Sequence, residues 1–256
     1  MNLKTLIVAP VTGSPITLGV VTYTNGEPSG YTIDNLKLDP AGRRLNIKEL
    51  PLVTGSLVAP GKLGERDVTV SGMIVGADAQ AVRVLRRALI NVLKDQGTSF
   101  VTLKWTPEAT EVAVTGYLNG AVECVSTDSH FLNYQFTVTC PDPIAYQTTQ
   151  STQTISGTAT QLGNAEVWPT IYVNTTAATV VISNTTTLQT MTLTSMTNGV
   201  CLINTKPGYE SVTLGGVSIL NKLSSASKFV SLIPGANVIT ITGGAGLMGW
   251  FNGWVD

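Results

Sequence analysis

The residues able to do chemistry in this 256-residue chain are few and widely separated. His130 is the one histidine, so any histidine-based triad would have to be built on it; it stands beside Phe131 at the start of a β-patterned run, without a G-x-S-x-G elbow. Cys124, Cys140 and Cys201 are odd in number and far apart, which points to buried thiols in a reducing compartment rather than a disulfide framework. With no C-x-x-C or H-x-x-x-H spacing, a zinc site is not expected. The acids stand singly: Glu108 and Glu111 share a turn, and Glu65 and Asp67 flank Arg66. A glycosidase would need two carboxylates set across a cleft, and no pair stands out. Gly243-Gly244-Ala245-Gly246 precedes neither a helix nor a Lys-Ser/Thr pair, so it is not a phosphate loop. Trp250 and Trp254 lie four residues apart in Trp250-Phe251-Asn252-Gly253-Trp254. In one strand they would share a side, able either to stack on sugar rings or to close a core, the structural role being favoured for at least one. The chain therefore reads as a protein with no catalytic residues, no metal and no cofactor.

Composition narrows the remaining classes. Apolar residues make up 43% of the chain, ample for buried cores, and charged residues 12%, against about 25% in an average soluble domain. So little charge implies a protein that is not bare: either it assembles, or much of its surface is covered. A net charge of −1 offers no electrostatic case for nucleic acid or an anionic membrane. No apolar run approaches a membrane span or the core of a signal peptide, so a soluble product starting near Met1 is expected.

The elements that would position any site are mostly strands. Thr17–Thr24, closed by the turn dipeptide Asn25-Gly26, and the alternating runs Asp67–Val75, Phe100–Trp105, Glu111–Leu118 and Phe131–Thr139 all carry the period of two. From Asp78 to Gln96 the spacing of Val82, Leu85, Leu89 and Val92 predicts an amphipathic helix, capped by Asp78 and stopped by Gly97. Arg83, Arg87 and Lys94 fall away from its apolar stripe, a solvated face or a contact with a neighbouring subunit. Leu50–Gly64 is rich in Gly and Pro yet carries large aliphatics, as an extended arm or a buried irregular connection would. Cys140-Pro141-Asp142-Pro143-Ile144-Ala145-Tyr146 fixes two φ angles and divides a charged first half from a threonine-rich second half. The expected division is 1–146 and 147–256. The second part shows short strands at Pro169–Val173, Thr179–Ser183, Met191–Thr194, Val200–Ile203, Ser211–Leu214, Phe229–Ile233 and Asn237–Thr242, the pattern of a β-sandwich.

Several segments, in this order, resemble the distal tail proteins of siphophages. They are Gly42-Arg43-Arg44-Leu45-Asn46-Ile47, Gly64–Gly72 followed by the helix, Phe136–Tyr146, Gly163-Asn164, Trp168-Pro169-Thr170-Ile171, Leu232–Asn237 and Trp250–Trp254. The resemblance implies a mainly β protein with one amphipathic helix, an N-terminal α+β ring-forming (belt) domain and a C-terminal galectin-like β-sandwich. It implies a structural virion protein made in the host cytoplasm, a homo-oligomeric ring, usually hexameric, at the distal end of the tail. Its implied partners are the tail tube protein on one side and a tail-associated hub or receptor-binding protein on the other. Leu57, Val58, Arg83 and Arg87 are the interface candidates taken from the arm and the helix. The alternative is a carbohydrate-binding adhesion module using Trp250 and Trp254, although the second half has neither the histidine nor the arginine of a galectin site. A cell-wall hydrolase ranks last.

Overall fold

The computed structural model describes residues 5–11, 13–40, 42–49, 56–93, 100–107 and 109–255, with backbone alone along 43–49 and 56–62. Its contacts cluster into two compact units, residues 1–145 with 255–256, and residues 146–254.

The first unit contains β1 (Leu6–Pro10), β2 (Ile16–Leu18), β3 (Val20–Thr24), β4 (Glu27–Tyr31), β5 (Asn35–Leu38), β6 (Arg43–Glu49), β7 (Ser56–Leu63), β8 (Arg66–Val75), α1 (Ala79–Leu93), β9 (Val101–Trp105), β10 (Val112–Ser126) and β11 (Phe131–Cys140). Eight strands run in the order β2-β1-β9-β10-β11-β8-β4-β3, and β5 joins the free part of the β8 edge. The two ends of this order are one piece of chain, because β2 and β3 are separated by Gly19 alone. Gly19 takes φ +84° and donates its N–H to the Tyr31 carbonyl at 2.9 Å. A left-handed residue turns the strand so that its first half pairs β1 and its second half pairs β4, which nearly closes the sheet into a barrel. The run Thr17–Thr24, read as one strand from its β-branched residues, is thus two strands with a corner. Asn25 (φ 54°) and Gly26 (φ 85°) form the tight turn of the β3–β4 hairpin, the type that matches strand twist.

Strict alternation fills the barrel. Val68, Val70 and Ile74 of β8, Leu103 and Trp105 of β9, and Tyr134, Phe136 and Val138 of β11 are all buried. Each Val- or Leu-sized side chain stabilises by roughly 1.5–3 kcal/mol when fully buried. Two tyrosines meet edge to face at 6.5 Å, and their hydroxyls reach backbone carbonyls, Tyr31 to Leu85 at 2.8 Å and Tyr134 to Thr32 at 2.6 Å. The first bond ties α1 to the sheet. Burial pushes the Tyr31 phenol up to about 12 and raises that of Tyr134 as well. Asp78 accepts the Ala81 N–H at 2.7 Å, the expected N-cap. Val82, Leu89 and Leu93 are buried, while Leu85 is half-buried. Gln96 and Gly97 lie outside the described residues.

The second unit is a sandwich of two antiparallel sheets. It holds β12 (Ala145–Gln147), β13 (Ser151–Ile155), β14 (Gly157–Gln161), β15 (Thr170–Thr175), β16 (Val180–Asn184), β17 (Gln189–Leu193), β18 (Gly199–Asn204), β19 (Ser211–Leu214), β20 (Val217–Ser218), β21 (Gly235–Thr242), β22 (Gly244–Trp250) and β23 (Gly253–Trp254). One sheet is β13-β22-β15-β18-β19-β20, the other β14-β21-β16-β17. Between them lies a core built from Ile171, Val173, Ile182, Met191, Leu193, Cys201, Ile203, Val230, Leu232, Ile239 and Met248. The expected strand Phe229–Ile233 is absent as a strand; Leu232 makes an isolated bridge to Val167. Side chains hold this segment instead: Gln189 Oε1 accepts the Ser231 N–H at 2.7 Å, and Asn184 Nδ2 donates to the Ser231 carbonyl at 2.7 Å. In contrast, the glycine-rich Gly243–Gly246 leads into β22, a central strand. A Cβ on Gly246 would lie 2.5 Å from the Tyr172 carbonyl oxygen of the adjoining strand, so glycine there permits close strand contact.

Candidate functional site

The loop between β10 and β11 brings together the three residue types of a hydrolytic triad, in the wrong order. The Ser129 N–H and hydroxyl both donate to Asp128 Oδ1, the hydroxyl at 3.0 Å, and His130 Nδ1 lies 2.9 Å from that hydroxyl. The Ser129 bonds, with a smaller pull from His130, hold the Asp128 carboxyl below its ordinary range. A triad needs imidazole between hydroxyl and carboxylate so that it can take the proton and be steadied as a cation. Here serine stands in the middle, and all three residues are exposed. The cluster is a turn-stabilising network. Among the described residues, no group of three or more His, Cys, Asp and Glu side chains could hold a metal ion.

The cysteines are reduced. Cys140 and Cys201 are buried, and burial pushes each thiol up to about 11, Arg66 partly opposing the effect at Cys140. Cys140 pairs with Arg66 across β11 and β8. A thiol so disfavoured as thiolate is a poor nucleophile.

The tryptophans are not a sugar-stacking pair on one strand. Trp250 ends β22 and Trp254 lies in β23, with Phe251 and Asn252 between them. Trp250 is 5% exposed and belongs to the sandwich core, while Trp254 is half-buried. The indole N–H of Trp250 donates to Asn252 Oδ1 at 3.1 Å, which also accepts the Leu162 N–H at 3.0 Å. Asn252 Nδ2 donates to Gln147 Oε1 at 2.7 Å and to Ser151 Oγ at 3.2 Å. Each hydrogen and each lone pair of this buried amide is used. The backbone adds a Gln147 N–H bond to the Asn252 carbonyl at 2.8 Å. A Cβ on Gly163 would meet the Gly253 carbonyl oxygen at 1.9 Å, which explains the glycine of Gly163-Asn164. Asn252 carries no chemical signal in sequence, since its importance comes from four partners up to 105 residues away.

β6 and β7 pair with one another as a two-stranded ribbon, Ile47 opposite Val58 and Lys48 opposite Leu57. The segment read as an arm is therefore a strand from Ser56 to Leu63; residues 50–55 and the side chains of Leu57 and Val58 lie outside the described ones. On α1, Arg83, Arg86 and Arg87 are exposed beside Val84, which is 53% exposed. Sequence spacing had singled out Arg83 and Arg87; Arg86 joins them because helix positions three and four apart are neighbours. The outer half of the β10–β11 hairpin exposes Glu123, Val125, Asp128 and Phe131.

Residues 162–254 match the family model of the siphovirus-type tail component, C-terminal domain. That match, confined to the second unit, is to a domain of siphovirus-type tail components. Over its whole length the chain superposes on the crystal structure of SPP1 Dit, described as a paradigm of the hub adsorption apparatus in phages infecting Gram-positive bacteria. That match covers 97% of this chain and 98% of the other, with TM-score 0.66 and 15% identity. A chain of the phage p2 baseplate in its activated conformation with Ca aligns more loosely, over 96% of this chain and 97% of that one, at TM-score 0.42 and 8% identity. No curated protein matches the chain by sequence. Residues 162–254 thus carry a siphovirus-type tail component domain, and the chain as a whole has the fold of SPP1 Dit.

Proposed function

We propose that this protein is the distal tail protein of a siphophage virion, closing as a six-membered ring that joins the tail tube to the tip and carries the adsorption proteins. The observation carrying this reading is the match in fold along essentially the full chain to SPP1 Dit. In this reading 1–146 is the ring-forming belt domain and 147–256 a peripheral galectin-like sandwich. A ring forms when one surface docks head to tail on a different surface and the rotation closes. The β6–β7 ribbon and the exposed arginine face of α1 are the docking elements in this reading, and a chain with 12% charged residues has much surface to cover. The faces of the ring meet the tail tube on one side and a hub or receptor-binding protein on the other. In this reading the role is structural, and the Asp128–Ser129–His130 cluster serves as a turn network.

Light scattering behind a sizing column, across a concentration series, tests the ring. A species near six times 26.9 kDa is expected; a strict monomer throughout overturns self-closure. Leu57→Asp or Val58→Asp should lower the assembled fraction while the sandwich keeps its cooperative unfolding. Unchanged assembly in both removes the ribbon from the interface.

A further inference from the structure

Exposed charge on the first unit is sorted by element. Every charged residue of α1 is an arginine, Arg83, Arg86 and Arg87, and all three are exposed. Among the described residues none of them has a carboxylate within salt-bridge reach. Arg86 and Arg87 lie three and four positions after Arg83, so both are its neighbours on the helix surface and repel it. The helix tolerates this repulsion without an acid at i±4 to relieve it. The β10–β11 hairpin is the converse. From Tyr117 to Gln135 it contains Glu123 and Asp128 and no lysine or arginine, and both acids are exposed.

Each surface also has an apolar centre beside its charges. Val84, 53% exposed, lies three positions before Arg87 and so beside it on the helix surface. On the hairpin, Glu123 pairs with Gln135 and Val125 with Asn133 across the strands, so Glu123, Val125 and Phe131 share the outward face. Val125 is 66% exposed and Phe131 38%. An apolar middle with charges around it is the anatomy of a protein interface. The charges of the two surfaces are opposite in sign, and the surfaces are different, as a head-to-tail contact requires.

We infer that the Arg83–Arg86–Arg87 face of α1 docks on the Glu123/Asp128 hairpin of a second copy of this chain. This rests on the ring reading and gives one of its contacts two named sides. The paired charges set register and speed encounter; the apolar residues are covered in the docked state.

Charge reversal tests it. Arg83→Glu/Arg87→Glu and Glu123→Arg/Asp128→Arg are each expected to weaken self-association by about a hundredfold or more, read by light scattering across concentration. An equimolar mixture of the two variants should recover wild-type association, because each then meets complementary charge on the other around a ring of even number. Variants that assemble like wild type overturn the pairing and leave the ring reading intact, as does a mixture that fails to recover. A wild-type chain that stays monomeric overturns both. Should a variant fail to unfold cooperatively, a salt series on the wild type decides. Association that falls as salt rises from about 0.05 M to about 0.5 M supports the contact, since screening shortens the reach of exposed charges. Association that is unchanged or stronger overturns it.

Discussion

Replacing Asn252 by alanine removes four side-chain hydrogen bonds from the interior of the sandwich. The Trp250 indole N–H and the Leu162 N–H lose their shared acceptor, and Gln147 Oε1 and Ser151 Oγ lose a donor. A buried group left without a partner costs about 1–3 kcal/mol. Trp250 is 5% exposed, so its indole has little access to water. The Leu162 N–H sits in a half-buried setting, and the Gln147 and Ser151 side chains can turn outward. Two stranded donors and two relaxed acceptors together give a loss of about 3 kcal/mol. With an m-value of about 2 kcal/mol/M, the urea midpoint of the second unit should fall by about 1.5 M. Urea titration followed by tryptophan fluorescence measures this. Hydrogen exchange read by mass spectrometry over 147–175 and 235–254 assigns it to the sandwich. A fall below about 0.5 kcal/mol, or faster exchange confined to residues 5–140, would refute the view that this amide locks the ends of the unit. Asn252→Asp sharpens the test, because it keeps the acceptors for Trp250 and Leu162 but buries a charge and abolishes both donations. It should destabilise at least as much as alanine.

Gly19→Ala should cost about 1–2 kcal/mol, the penalty for a side chain in left-handed backbone, and lower the melting temperature of the first unit by about 5 °C; no change would mean that the corner tolerates another geometry. In the native protein at pH 8, a thiol reagent should label half-buried Cys124 and spare Cys140 and Cys201; rapid labelling of all three would show that both cores open readily. The two buried thiols also make stability fall with alkali. Their folded pKa of about 11 lies above the ordinary value of 9.0, so the unfolded chain ionises first. The stabilisation they contribute is whole below pH 9 and is lost as pH rises towards 11; Cys140→Ser should flatten that slope. A fragment beginning at Gln147 should fold alone as a monomeric β-protein, checked by circular dichroism and sizing; an insoluble product would contradict an independent second unit.

The β period was plain wherever apolar and polar residues alternated, as in β8 and β11, and the helix followed from Val82, Leu89 and the Asp78 cap. Asn25-Gly26 marked its hairpin because two left-handed residues in a row favour few other sequences. Less was legible where backbone rather than side chain decides. Gly19 sits inside a β-branched run that hides a corner, and β22 is a central strand whose glycines look like a loop. β13 and β14 are largely Ser, Thr, Gln and Gly and carry little hydrophobic signal. Phe229–Ile233 had the composition of a strand, yet the Ser231 backbone groups at its centre are taken by Gln189 and Asn184 side chains. The tryptophan motif drew attention to its aromatic rings, whereas the asparagine between them is the residue that organises the site.

That asparagine has a consequence for how the chain can vary. By bonding Gln147, Ser151 and Leu162 from position 252, it brings the first and last segments of the sandwich side by side, with Ser151 paired opposite Trp250. A unit whose entrance and exit coincide behaves as a cassette. Its inner loops can lengthen, shorten or accept a whole inserted module without displacing its ends, and the unit can be exchanged for another that enters and leaves at the same spacing.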